Sequence, residues 1–274
     1  MFRNTEQTVK PRRRGQGVPA ARLSGIDRVL ATLSEVARHP RGIRLDDLAR
    51  GMTSPKSSVH RALGALRRAG FVTHDDRGDY RLGLEFMRLA FDHYHGLDER
   101  DLIDPLMRDL SARFGETSHF AKLSGGDVVY VGIVSPGGGG IKMSSTIGGR
   151  NPAYCTAVGK ALLAHALPDA AAVARFVKEH GPLAKRTPHS LTDAPALARE
   201  FESVRRLGYA VDREESDVGV NCLAIPVFIG PPGQPLGAVS VSGLAMRTPL
   251  AALIKAFPDM RALVQKHLGA ASVR

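Results

Sequence analysis

The stretch "SPKSSVHRALGALRRAG", residues 54–70, decides how the first third of this chain is read. Val59, Ala62, Leu63 and Leu66 recur at helical spacing, and Gly70 stands where a glycine commonly ends a helix. Ser54 is expected to cap the helix, with Pro55 in its first turn. The other face carries Lys56, Ser57, Ser58, His60, Arg61, Arg67 and Arg68, with no Asp or Glu anywhere in the stretch. A solvated basic face in any small helical domain has this composition, but a face cleared of acid also suits a polyanion.

The flanking sequence favours the polyanion. Upstream, "SGIDRVLATLSEVARHP" places Ile26, Val29, Leu30, Leu33 and Val36 on one helical stripe, with Ser24 as a cap and Pro40 past the end. A short second helix follows in "LDDLARGM", carried by Leu45, Leu48, Ala49 and Met52. Downstream, two β-prone pieces at 71–73 and 80–82 flank the turn-rich residues 75–79, which predicts a hairpin. Three helices and then a hairpin is the order of a winged helix-turn-helix. In that arrangement Ser57 and Ser58 meet phosphates beside the free helix amides, and Lys56 and Arg61 supply charge. His60 and Arg61 are placed to reach base edges, and Arg77 at the hairpin tip to reach a minor groove or a phosphate.

Charge is distributed accordingly. The 274 residues carry a net +11, and residues 1–93 hold 18 Lys and Arg against 10 Asp and Glu, while residues 94–274 hold 20 against 17. A basic third beside a nearly neutral remainder separates a polyanion-facing part from a part with another task. No window approaches 18 consecutive apolar residues, and the charged N-terminus precedes no apolar run, so neither a membrane span nor a secretory signal is expected and the cytoplasm is the expected location. Cys155 and Cys222 stand apart, without a CxxC or a nearby His, which argues against disulfides and zinc. His93 and His95 lack a third ligand, so no metal or other cofactor is expected.

Residues 84–114 repeat apolar positions at helical spacing, with Pro105 expected to start or kink a helix. Beyond them, strands are expected at 117–123, 128–135, 141–146, 209–213, 221–229 and 235–244. Helices are expected at 157–166, 169–180, 194–207 and 250–268. Tight turns such as "SGGD" and "GPPGQP" favour antiparallel pairing, hence an α+β sheet domain.

Five segments in this order resemble the IclR-type bacterial transcriptional regulators. They are "GIDRVLATL", "GIRLDDLARGMTSPKSSVHRALGALRRAGFV" followed by "YRLG", "MSSTIGGRNPAYCTAVGKALLA", "VRRLGYAVDREES", and "GVNCLAIPVF" with "GAVSVSG". The resemblance spans nearly everything from Gly25 to Leu268. Residues 1–22, polar, Pro- and Gly-containing and without periodic apolar positions, are read as a flexible basic tail, and the resemblance implies a winged helix-turn-helix domain at 23–84, a helical linker at 85–98 and a GAF-like antiparallel-sheet effector-binding domain at 99–271. It also implies a homodimer or homotetramer, dimerising through the N-terminal helix and linker, that binds double-stranded operator DNA and a small-molecule effector, with no membrane partner. The family's pocket maps onto the helix start at Cys155 to Lys160, with Thr156 as cap and the amides of Ala157, Val158 and Gly159 open to a carboxylate. It maps further onto Asp212, Cys222, Ser240 and Ser242, which outline a small polar cavity suited to a small organic or aromatic acid. Two alternatives stay open beside a non-enzymatic regulator: an architectural DNA binder that needs no effector, and an enzyme using Cys222 as nucleophile, Asp212 nearby and His119 as base.

Overall fold

A computed structural model describes residues 25–95, 98–136, 145–229 and 233–273, with the side chains of 90–100 left out. The expected tail at 1–22, the Ser24 cap, the side chains of His93 and His95, and residues 141–144 of the expected strand lie outside the described residues. The chain divides into two compact units, Met1–Leu97 and Asp98–Arg274.

The first unit packs α1 (Gly25–Ala37), α2 (Leu45–Gly51) and α3 (Lys56–Arg68) with a small sheet. Strands β2 (Val72–His74) and β3 (Asp79–Leu82) form the expected hairpin. A two-residue strand that the pattern did not signal, β1 (Ile43–Arg44), pairs antiparallel with β3 and completes a three-stranded wing in the order β1-β3-β2. Val36, Leu48, Val59, Leu63, Leu66, Val72 and Tyr80 form the core. Helix α3 ends in a double hydrogen-bonded cap: the Phe71 amide donates to the Leu66 carbonyl at 2.9 Å and the Gly70 amide to that of Arg67 at 3.1 Å. Gly70 has a φ of +77°, which a glycine adopts without the Cβ penalty. The same closure ends α2, where the left-handed residue is Thr53 at φ +48°.

One expectation for this unit is corrected. Ser54 does not cap α3; its hydroxyl turns back to the Met52 carbonyl at 3.4 Å. Pro55, extended at ψ 132°, takes the cap position, and its carbonyl accepts the amides of Ser58 and Val59. The α1 stripe is also divided: Val36 is buried, whereas Ile26 and Leu30 are 76% and 58% exposed.

The second unit is a six-stranded antiparallel sheet covered by helices on both faces. Helix α4 (Leu84–His95) ends the first unit, and α5 (Asp98–Phe114) opens the second. Pro105 lies inside α5 rather than at its start. It costs one backbone hydrogen bond, while the buried Ile103, Leu106, Met107 and Leu110 hold the helix to the sheet. Strands β4 (Thr117–Ser124), β5 (Asp127–Val134), β6 (Arg150–Pro152), β7 (Ala210–Arg213), β8 (Val220–Val227) and β9 (Gly237–Leu244) lie in the order β6-β5-β4-β9-β8-β7. Three-residue β6 was not foreseen, and residues 145 and 146 of the expected strand at 141–146 are not in a strand.

Successive side chains of a strand point to opposite faces, and the two faces differ in size. One carries Phe120, Leu223, Ile225, Val239 and Val241 against α5, α9 (Leu250–Lys255) and α10 (Phe257–Leu268). The other carries Ala121, Ala210, Ala224 and Ala238, which lets α6 (Ala157–Ala166) approach closely beneath α7 (Ala170–His180) and α8 (Ala194–Leu207). The single helix expected at 250–268 is two, because Pro258 can supply no amide to continue the first.

Candidate functional site

The first unit presents one face of α3. Ser57, His60 and Arg61 are exposed and Ser58 is half-buried, while Val59, Ala62, Leu63 and Leu66 face inward. The amides of Lys56 and Ser57, in the first turn, have no acceptor among the described residues. Nζ of Lys56 pairs with Asp46 of α2 at 2.5 Å, but both side chains are well exposed, so a phosphate can replace the carboxylate at little cost. Arg77 sits at the hairpin tip, where its amide and that of Asp79 donate to the Asp75 carboxylate at 3.1 and 2.9 Å. That Asx turn holds the tip in shape and leaves the guanidinium exposed.

In the second unit a cavity of about 210 Å³ opens between the start of α6 and the small-residue face of the sheet. Its lining includes Ala157, Val158, Asp212, Cys222, Ser240 and Ser242, so the six residues expected of an effector pocket are brought to one place. Strand register explains the convergence. Asp212 pairs with Cys222, Cys222 with Ser242, and Ser240 with His119, and directly paired residues share a face. The lining crosses the sheet strand by strand: Asn151 on β6, Tyr130 on β5, His119 on β4, the two serines on β9, Cys222 on β8 and Asp212 on β7.

Thr156 caps α6 as expected, its hydroxyl accepting the Gly159 amide at 3.2 Å. Gly159 therefore does not offer a free amide; Ala157 and Val158 do, with no acceptor among the described residues. Tyr130, Asn151, Ser145 and Ser216 were missed as lining residues. An isolated Tyr in an otherwise apolar strand was the one available signal for them.

The cavity floor is electrostatically loaded. Asp212 is buried; its Oδ1 accepts the amides of Glu215 at 2.7 Å and Ser216 at 3.3 Å, and its Oδ2 has no partner among the described residues. Burial raises its pKa above the ordinary 3.8, against the opposing pull of Ser216, the Glu215 amide and Lys160. Lys160 on α6 is completely buried, with Nζ 2.8 Å from Glu200 and 2.5 Å from Glu215. Burial alone would lower its pKa, but Glu215 and Glu200 outweigh that and keep it an ammonium.

Because Asp212 holds its proton more tightly folded than unfolded, it favours the native state below its unfolded pKa, and that contribution is lost as pH rises through the folded pKa. Asp212→Asn is therefore expected to stabilise this unit at neutral pH by about 1 kcal/mol, within the range for a buried unpaired polar group. Urea melts should show the gain shrinking as pH falls toward 4, and a constant gain would contradict the assignment.

The geometry does not assemble a cysteine nucleophile. The His119 ring bonds Ser145 Oγ at 2.7 Å and Ser242 Oγ at 3.3 Å, with no bond to Cys222 among the described residues. Burial and then Asp212 push the Cys222 thiol well above its ordinary 9.0, and burial pushes Cys155 to about 12, so neither is a thiolate at neutral pH.

A winged helix-turn-helix unit joined in one chain to an antiparallel-sheet unit of this construction defines a DNA-binding transcriptional regulator. Residues 25–76 match the IclR helix-turn-helix domain, and residues 92–266 match the bacterial transcriptional regulator IclR C-terminal domain. The chain belongs to the IclR family. It is 30% identical over 238 residues to the HTH-type transcriptional repressor AllR of Escherichia coli K12, covering 86% of each chain. An IclR transcriptional regulator from Silicibacter sp. TM1040 matches at a TM-score of 0.76 and 28% identity, covering 91% of this chain and 98% of that one. An IclR homologue from Microbacterium hydrocarbonoxydans, crystallised with 4-hydroxybenzoate, shares the fold at a TM-score of 0.73 and 23% identity, covering 90% and 100%. No described helix is long and apolar enough to cross a membrane.

Proposed function

We propose that this chain binds operator DNA through α3 and the wing, and that a small organic or aromatic acid in the sheet-unit cavity modulates that binding. What supports the reading is the meeting, in one cavity, of two free amides at a helix start with Asp212, Cys222 and two serines. Free amides at a helix N-terminus favour an anion, and the buried polar floor supplies orientation. On the DNA side, Lys56, Ser57, Ser58 and Arg77 hold phosphates while His60 and Arg61 read base edges. The exposed Ile26 and Leu30 suit pairing of two copies as a homodimer, or as a homotetramer built from two, reading half-sites about 34 Å apart or a multiple of that. An effector that prefers one arrangement of the pair shifts its hold on DNA by that difference in affinity.

The test is a thermal-shift screen of small acids on the full chain, followed by operator binding with and without each hit. Acids that stabilise the protein and change operator affinity support the proposal; an operator binder indifferent to all of them is an architectural one. Arg61→Ala is expected to cost about 1–3 kcal/mol of specific binding and much less on unrelated DNA. Specific affinity should also fall steeply with salt, each phosphate contact adding about −0.9 to the slope of log K against log salt. An unchanged ratio of specific to non-specific affinity removes Arg61 from base reading.

A further inference from the structure

For an acid-binding cavity, this one is lined by the wrong charge. Asp212 and Asp217 are among its described lining residues and no Lys or Arg is, while burial pushes His119 down to about 4 and leaves it neutral. We infer that Arg186, which does not line the cavity, is the cation that fits it to an anion: its guanidinium masks Asp217 and sets the preference for an acid over the uncharged analogue. This rests on the cavity being the effector site. Three observations carry it.

The first is how Arg186 is held. Its Nε donates to the Ser216 carbonyl at 2.9 Å, and its Nη2 lies 3.5 Å from Asp217 Oδ1, so one guanidinium engages two consecutive lining residues. Asp217 is 47% exposed and Arg186 23%, so the pair stands partly in solvent, where an entering ligand meets it.

The second is the strap that delivers it. The hydroxyls of Thr187 and Ser190 donate to the carbonyls of Glu214 and Glu215, each at 2.6 Å, and Arg186 takes the next carbonyl, that of Ser216. On the other side, the Ala184 carbonyl accepts the hydroxyl of Tyr154, in the turn that leads into α6. Residues 184–190 therefore tie the start of α6 to the loop between β7 and β8. Burial pushes the thiol of Cys155, two residues before Ala157, up to about 12, and Arg186 is the largest opposing pull on it. The field of the guanidinium thus reaches the α6 amides as well as the loop.

The third is that two neighbouring cations are committed elsewhere. Lys160 is shared by Glu200 and Glu215, and Arg247 is held by Glu116. Without Arg186, a bound carboxylate would share the cavity with an unmasked Asp217, and like charges at such short range repel.

Calorimetric titration of the full chain with benzoate and benzamide, and with pentanoate and pentanamide, tests this. Arg186→Gln is expected to weaken the acids about fivefold to tenfold and to leave any amide that binds within about twofold. Arg186→Lys, which keeps the charge and loses the planar fork, should hold acid affinity within about threefold of wild type. Adding Asp217→Asn to Arg186→Gln should restore the acids. Asp217→Asn alone leaves the Arg186 charge unopposed and should tighten them about threefold, an arm that decides the matter even where Arg186→Gln does not fold. The acid-specific loss should shrink as salt is raised, because the pair is partly solvated. No loss in Arg186→Gln, acids and amides weakened alike, Arg186→Lys failing as Arg186→Gln does, or Asp217→Asn leaving acid affinity unchanged makes Arg186 a brace of the loop and overturns the inference, while the acid-binding reading stands. If neither acid binds the wild-type chain, the acid-binding reading falls and this inference with it.

Discussion

Lys160→Met is expected to lower the stability of the sheet unit by about 3–5 kcal/mol, the cost of leaving buried carboxylates without their counter-charge. The side chain is wholly enclosed and answers Glu215, itself buried, and Glu200, which is partly solvated. Methionine fills the stem's volume, so the loss is electrostatic and not a cavity effect. Thermal melts should fall by roughly 10 °C for a unit of this size. Adding Glu215→Gln should recover part of the loss by removing the worse-placed charge. Since Lys160's folded pKa is raised, its contribution is complete below its unfolded pKa and lost only as pH rises through the folded one; the deficit should persist across the neutral range. A melt within a degree or two of wild type would mean that water or a proton already compensates the cluster.

Gly159→Ala is expected to cost about 3 kcal/mol and, on the proposed function, to abolish acid binding together with it. A Cβ at this position would lie 2.2 Å from the Ala153 carbonyl oxygen and 2.4 Å from its Cα, both backbone atoms of the turn at Ala153–Cys155. Neither can turn away as a side-chain tip would, so α6 must lift, taking the amides of Ala157 and Val158 off the cavity. Gly64→Ala is the internal control: its new methyl finds only the Arg68 guanidinium, at 3.6 Å, and replacing a mid-helix glycine should stabilise α3 by about 0.5–1 kcal/mol. If Gly159→Ala melts like wild type and still binds acid, the close approach of α6 to the turn is not what holds the cavity open.

Both residues show where sequence reading stops. Helix α6 was legible to its end residues, because apolar density and the Thr156 cap are local properties of ten consecutive residues. That Lys160 inside it is buried was not legible, since a lysine in a helix is ordinarily solvated and only the arrival of Glu200 from α8 and Glu215 from the loop after β7 makes burial tolerable. Strands β1 and β6 were missed for a related reason. Two or three residues carry no period, and such strands exist only because β3 and β5 present edges to pair with. Periodicity put Ile26 and Leu30 on one apolar stripe with Val36, but it reports an apolar face and not what covers it.

The six polar and helix-start positions of the cavity came from the resemblance to the IclR family, whereas by itself the sequence determined the order and kind of the long elements and the acid-free face of α3. These follow from spacing along the chain, 3.6 residues per turn in a helix and two per repeat in a strand, and from capping residues that act within a few positions. Tertiary structure decided which strands are neighbours, and so decided that Tyr130 and Asn151 stand across β4 from Asp212, that the Asp212 Oδ2 is left without a partner, and that Lys160 is a buried cation. Desolvation and strand adjacency depend on residues dozens of positions away, and no local pattern carries that information.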